Sequence, residues 1–376
     1  MRIALDAWVA GLCNPTGVAN VGRRLTRAMF EAADDVDWCV YLEEGQTLPF
    51  PLPARSRVRY RGLGLGIGNA RLQEAARAVW QTWAGLRDRP EVTYSFSHLL
   101  PGLCLGARVI TVHDVIFERY PDCYPPGYAR WYSKTFACAT RRARAIVVPS
   151  EATRRDVLEF YAVDPSRVHV VPWGVDVPQE ARVVRPSGLP DLEATRFFLC
   201  VGRMDPRKNF VRVMEALAAI RETMNPPPVL VIAGPADHAS TEIRAAASGG
   251  VHFTGYVEED GLNWLYRNAV GVVYPSFAEG FGLPVVEAMA NGAPVITSCV
   301  SALCEVAGDA ALLVDPTSVS EIAGAMRGLL EDETLRTRLI ADGRHRIAAF
   351  TWERSARILL DLFRAFCPGD GDQRGG

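Results

Sequence analysis

Short apolar runs alternate with stretches of helical periodicity along this chain, and the alternation starts twice. In the first half Arg2 to Asp6, Trp38 to Leu42, Arg108 to Val112, Ala145 to Pro149 and Val168 to Val171 read as strands. Between them Gly17 to Ala33, Ala70 to Leu86, Tyr128 to Ala143 and Glu151 to Phe160 read as helices. The last is preceded by Ser150, whose oxygen can accept from free helix amides. Val177 to Pro190 is rich in proline and charge and has no sustained period, as a linker would. The pattern then restarts with strands at Phe197 to Val201, Val229 to Ala233, Val251 to Phe253 and Val270 to Tyr274, and a helix at Phe210 to Thr223. Helices at Ser318 to Glu331 and Thr351 to Phe366 follow. Repeated strand-helix units imply an α/β fold with parallel sheets covered on both faces and right-handed crossovers.

At 376 residues the chain is too long for one ordinary core. Two domains are expected, residues 1–176 and 191–350, joined by the 177–190 linker. The polar, glycine-rich segment 368–376 is expected to be disordered. Gly62 to Gly68 holds too many glycines for a stable element and reads as a mobile loop.

A hydrophobic fraction of 49% with 22% charged residues describes a soluble globular chain, and a net charge of −2 gives no field for nucleic acid. Nine cysteines occur without a Cys-x-x-Cys pair, which excludes a zinc ribbon and a thioredoxin-type motif. Their apolar contexts, such as Cys200, suit reduced thiols in a cytoplasmic setting. The opening Met1-Arg-Ile-Ala-Leu-Asp reads as a first strand and not as a signal peptide. No apolar run approaches the ~20 residues that span a bilayer.

Tyr274 to Ser298 carries the densest chemistry. A strand feeds a glycine-bearing loop from Glu279 to Leu283, and Pro284 suits the first position of a helix because its missing N–H is an orphan there. Free amides and a positive dipole end at Phe281, Gly282 and Leu283 are what a phosphate ester needs. Glu279 in the loop and Glu287, expected in the first helical turn, bracket that spot. By residue chemistry alone they are equally a solvated loop charge and a helix-dipole residue. Arg203 and Lys208 follow the first strand of the second half, where cations can converge on an anion at a strand's carboxyl end. His113 ends a strand in the same way, or is a satisfied turn histidine.

Glu279-Gly-Phe-Gly-Leu-Pro-Val-Val-Glu287-Ala-Met-Ala-Asn-Gly-Ala-Pro-Val resembles the paired-glutamate motif of the glycosyltransferase family 4 (GT4) retaining enzymes. Gly202-Arg203 with Lys208-Asn209, the His113-Asp114 segment and the Thr16-Gly17-Val18 loop are similar to segments of the same family. The resemblance implies the GT-B architecture: two Rossmann-like domains facing across a cleft, with the C-terminal helix 351–366 returning to the first. It also implies roles. Arg203 and Lys208 would hold the nucleotide diphosphate, Glu279 and His113 donor-sugar hydroxyls, and Glu287 the ribose. Gly17 would line the cleft, and Tyr256 and Val257 would lie by the nucleobase. Trp173 stands where the family's hinge turn usually has asparagine, and Cys304 where a proline is common.

The family implies transfer with retention. No motif supports a carboxylate placed close beneath the sugar carbon as double displacement requires, so same-face attack is expected. Asp35-Val-Asp37 precedes a strand and Asp370-Gly-Asp372 lies in the tail, so neither reads as a metal site and no cofactor is expected. The fullest resemblance is to bacterial mannosyltransferases of polysaccharide assembly. It implies GDP-mannose as donor, with UDP-glucose, UDP-N-acetylglucosamine and dTDP-rhamnose as alternatives, and a glycan or polyprenyl-diphosphate-linked acceptor. Arg23, Arg24, Arg27 and the arginines of 130–144 could touch anionic lipid, or simply be solvated helix faces. A sugar-nucleotide epimerase of the same architecture is the rival reading. The sequence leaves the oligomeric state open.

Overall fold

The structure is a computed structural model that describes residues 1–11, 17–61, 70–97, 105–178, 183–186 and 196–367, with backbone alone at 70–75. The Asn14–Thr16 turn, the Gly62–Gly68 run, part of the 177–190 linker and the 368–376 tail lie outside the described residues. The chain divides into two compact units. One comprises Met1–Glu118, Gly127–Gly174 and Trp352–Gly376, and the other Arg119–Pro126 and Val175–Thr351.

The first unit holds seven strands: β1 (Arg2–Asp6), β2 (Asp37–Glu43), β3 (Ser56–Arg61), β4 (Val92–Ser95), β5 (Ala107–Thr111), β6 (Ala145–Val148) and β7 (Val168–Val170). They are ordered β3-β2-β1-β4-β5-β6-β7, and every pairing is parallel. The interior strands are near-continuous buried runs because helices cover both sheet faces. Edge strand β3 reads Ser-Arg-Val-Arg-Tyr-Arg and gave no apolar signal. Two of its arginines meet carboxylates of neighbouring elements, Arg59 Nε donating to Asp88 Oδ2 at 2.6 Å and Arg61 Nη2 to Glu43 Oε1 at 2.6 Å.

The last helix, Trp352–Arg364, belongs to this first unit, as expected. It buries Ser355, Ala356, Leu359, Leu360 and Phe363, packs on the helix Gly17–Ala32, and sets Phe363 5.2 Å from the Tyr94 ring. Ser355 Oγ donates to the Pro172 carbonyl at 2.5 Å. Trp352, Ala356, Leu359, Leu360 and Phe363 give it a buried apolar stripe, and its stability comes from that packing.

The second unit holds β8 (Phe197–Val201), β9 (Val229–Ala233), β10 (Val251–Gly255), β11 (Gly271–Tyr274), β12 (Val295–Ser298) and β13 (Leu312–Val314). Their order is β10-β9-β8-β11-β12-β13, again all parallel. Phe198, Cys200, Phe210, Val213, Leu217, Ile232, Met326 and Leu329 form its core between the sheet and the helices Phe210–Arg221 and Val319–Glu331. Ser318 caps the second of these by accepting from the Glu321 amide at 3.2 Å. A helix at Glu333–Ile347 went unread in the sequence. It buries only Leu339 and Gly343, too little to mark an apolar stripe.

Each sheet reverses its strand order once, between β1 and β4 in the first unit and between β8 and β11 in the second. Ligands of open α/β sheets bind outside the strands' carboxyl ends at such reversals.

Candidate active site

In the second unit the chain leaves β8 through Gly202, at φ +142°. A Cβ there would lie 3.2 Å from Lys208 Cε, so glycine lets this side chain fold back beneath the strand end. Asp205 accepts from the Arg207 amide at 2.8 Å and shapes Pro206–Lys208 into one 3₁₀ turn. Asn209 then ties the turn to two other loops, donating to the carbonyls of Pro275 (3.1 Å) and Pro316 (2.7 Å).

That turn meets the loop after β11 at Glu279. Its Oε1 accepts from Lys208 Nζ at 2.7 Å, Arg207 Nη1 at 2.7 Å and the Tyr274 hydroxyl at 2.8 Å. Lys208 Nζ also bonds the Tyr274 oxygen and stands 4.7 Å from its ring centroid. Burial by itself would raise the Glu279 carboxyl, but Arg207 and Lys208 outweigh it and hold the group down at about 2. Burial lowers the Lys208 ammonium against the pull of Glu279, and burial with the Glu279 charge pushes the Tyr274 hydroxyl well up. Glu279 is therefore ionised and Tyr274 neutral at pH 7. Oε2 of Glu279 takes no hydrogen bond among the described residues, so an acceptor oxygen remains. Ser301, at φ +57°, clamps the Glu279 backbone, donating to its carbonyl at 2.7 Å and accepting from its amide at 3.3 Å.

Arg203 follows the same strand, half exposed, with Nε 3.5 Å from Asp237. The helix Leu283–Ala290 starts behind Gly282, at φ +97°, where a Cβ would come within 2.5 Å of Leu303. No side chain caps this helix; Pro284 has no N–H and the Val285 amide donates to the Gly282 carbonyl at 2.9 Å, so the amides that can meet an anion are those of Gly282 and Leu283. Pro284 is the second helical residue and not the first, so Glu287 falls in the second turn instead of the expected first. Glu287 Oε2 accepts from the Tyr266 hydroxyl at 2.9 Å. The Phe281 ring is buried edge-on to Phe350, 5.5 Å away, so only its backbone can meet a ligand. Tyr256, half exposed, and Val257 follow edge strand β10, after Gly255 at φ +72°.

In the first unit the reversal holds Asp6, which accepts from Ser95 Oγ at 3.1 Å. Burial raises its carboxyl to about 6, against the Arg77 charge and hydrogen bonds from Gln81 and Ser95. His113 lies just beyond β5. Its Nε2 is 2.7 Å from the Phe96 carbonyl, which can only accept, so the proton sits on Nε2 and the other ring nitrogen is an acceptor. Burial pushes this imidazole below its ordinary pKa, against the Phe96 carbonyl and Asp114, so it is neutral at pH 7. Trp173 packs on it with ring centroids 5.7 Å apart. Gly17 opens the first helix, and among the described residues a Cβ there meets nothing within 4 Å.

Residues 15–179 match the family described as Glycosyltransferase Family 4, and residues 189–346 that described as Glycosyl transferases group 1. The chain is 31% identical to the MMP alpha-(1->4)-mannosyltransferase of Mycolicibacterium hassiacum, over 69% of this chain and 68% of that one. The chain belongs to glycosyltransferase family 4. It is also 29% identical to O-antigen chain mannosyltransferase B of Escherichia coli, over 76% of this chain and 77% of that one. Its fold is similar to sucrose-phosphate synthase from Thermosynechococcus elongatus, with a TM-score of 0.75 and 20% identity over 97% of this chain and 98% of that one.

This GT-B-fold enzyme transfers a sugar from a nucleoside-diphosphate sugar to an acceptor. Four side chains around these motifs carry no signal of their own in the sequence. Arg207 stands beside Lys208 in one loop, Tyr274 is the end of a strand, Ser301 belongs to the stretch after the motif helix, and Trp173 is a departure from the family's asparagine. Asp35 and Asp37 lie at the start of β2, where they meet Arg364 (3.7 Å) and Arg2 (3.9 Å). Among the described residues no cluster of three His, Cys, Asp or Glu side chains could hold a metal ion, and no helix is long and apolar enough to cross a membrane.

Proposed function

We propose that this glycosyltransferase moves mannose from GDP-mannose to a glycan or polyprenyl-diphosphate-linked acceptor, with retention, by same-face attack and without a metal. The observation that carries the donor assignment is the buried Lys208–Glu279 pair at the reversal of the second sheet, beside an uncapped helix start. Lys208 engages two of its three N–H donors and keeps one for a phosphate oxygen. Arg203 and the amides of Gly282 and Leu283 add positive charge for the leaving diphosphate. Oε2 of Glu279 accepts from donor-sugar hydroxyls, Glu287 takes the ribose hydroxyls, and Tyr256 with Val257 borders the base. His113 accepts from a donor-sugar hydroxyl through its unprotonated nitrogen, and the Gly17 loop serves the acceptor.

Similarity to two enzymes described as mannosyltransferases, one of O-antigen chains, supports the choice of mannose and of a saccharide acceptor. The enzyme works in the cytoplasm and touches the membrane only peripherally, through its basic helix faces.

One experiment tests the whole reading: incubation with GDP-mannose and a panel of saccharide acceptors in EDTA, with the product's anomeric configuration read by NMR. An α-mannoside formed in chelator is expected. Loss of turnover in EDTA restored by manganese, or a β-product, overturns the corresponding part.

A further inference from the structure

Two cations share one oxygen of Glu279, where the sequence pattern asked for one. Lys208 is the expected partner, and Arg207 is the additional one, its Nη1 2.7 Å from the same Oε1. We propose that Arg207 is a positioning residue of the donor site, holding Glu279 in place as an ionised acceptor beside Lys208. This rests on the donor-site reading given above.

The charges support it. Glu279 Oε1 faces two cations, Arg207 and Lys208. Asp205, 3.6 Å from Arg207 Nη2, balances the second cation, so the cluster holds two cations and two carboxylates. Tyr274 is the remaining polar group on Oε1 and is neutral, while Ser301 binds only the Glu279 backbone.

Arg207 is itself fixed at several points. Its amide donates to Asp205 Oδ1 at 2.8 Å, its Nη1 donates to the Ala278 carbonyl at 2.6 Å, and its own carbonyl accepts from the Phe277 amide at 3.0 Å. It bridges the loops after β8 and β11 and is only 12% exposed, so its reach is directed at Glu279 and not at solvent. Arg207 and Lys208 together hold the Glu279 carboxyl down against burial. The side chain thus acts through Glu279 and Lys208 and touches no reacting atom.

The test compares full-length wild type with Arg207→Gln, Arg207→Lys and Lys208→Ala. Glu279 is titrated by carboxyl ¹³C NMR in glutamate-labelled protein, with Glu279→Gln for assignment, and the acid limb of kcat/KM is followed with GDP-mannose. In Arg207→Gln the Glu279 midpoint is expected to rise, the acid limb to move up with it, and kcat/KM to fall about tenfold or more, as lost charge stabilisation does. Arg207→Lys is expected to keep the midpoint near wild type, and it carries the test if the glutamine variant fails to fold. An unmoved midpoint in Arg207→Gln, or a midpoint in Arg207→Lys displaced well above wild type, overturns the proposal. Wild-type GDP affinity in Lys208→Ala would overturn the donor reading, while the NMR midpoints still judge whether Arg207 holds Glu279 ionised.

Discussion

The two sheets reverse in the same way but finish their strand ends with opposite chemistry. At the β8/β11 reversal a buried carboxylate is held ionised by two cations, and its neighbouring hydroxyl is kept neutral. At the β1/β4 reversal a buried carboxylate has one hydroxyl donor within 3.1 Å and titrates near 6, and the histidine beyond β5 is neutral. The first arrangement suits a charged ligand such as a diphosphate, and the second suits hydroxyl groups. One topology therefore holds two buried carboxyls in opposite states, because burial shifts a carboxyl upward until fixed cations outweigh it.

The contrast breaks most sharply at Lys208. Lys208→Ala is expected to lower kcat with GDP-mannose on the order of a hundredfold or more, while Arg207 keeps Glu279 ionised and the fold intact. Near-normal turnover would remove the cationic half of the contrast. Asp6→Asn addresses the other half. Burial pushes the Asp6 carboxyl up to about 6, above the ordinary aspartate value of 3.8. Its contribution to stability is thus fully present below pH 3.8 and is lost as pH rises through 6. Asp6→Asn should flatten that loss, raising the melting temperature relative to wild type by a few degrees at pH 8 and by little at pH 4, an effect on the order of 1–3 kcal/mol. A parallel offset at both pH values would show that Asp6 does not titrate in this range.

His113→Ala comes next. Losing one neutral hydrogen bond to a sugar hydroxyl costs about 1 kcal/mol, or roughly fivefold in kcat/KM for the donor. A hundredfold loss would mean that His113 carries charge or a proton during transfer. Gly17→Ala is the mildest. Its Cβ has open space in the fold, so stability should move by less than ~0.5 kcal/mol, while the KM for acceptor rises. An unchanged acceptor KM would leave Gly17 as a turn residue alone.

Much of this was legible in the sequence, for reasons that differ from residue to residue. Strands β8 and β9 and the helix Glu151–Phe160 fell where their apolar patterns put them, since both sheet faces are covered and the strands run apolar without a break. Strand β3 escaped because its arginines are neutralised by Glu43 and Asp88, partners that sequence distance hides. Glu287 falls a turn later than its spacing from Pro284 implies because the helix begins at Leu283, directly after Gly282 in the left-handed region.

The sequence by itself determined two parallel-sheet units, the glycine turns at their strand ends, and a supply of acids and cations following β8 and β11. Local periodicity and short motifs are written in neighbouring residues, so one chain suffices to read them. Only the tertiary structure decided that Arg207 and Lys208 meet on one oxygen of Glu279, 71 residues further on for Lys208, and that Tyr274 completes the cluster. Those assignments depend on which strand ends the sheet brings together, and electrostatics over a few ångströms, not order along the chain, then fixes which groups carry charge.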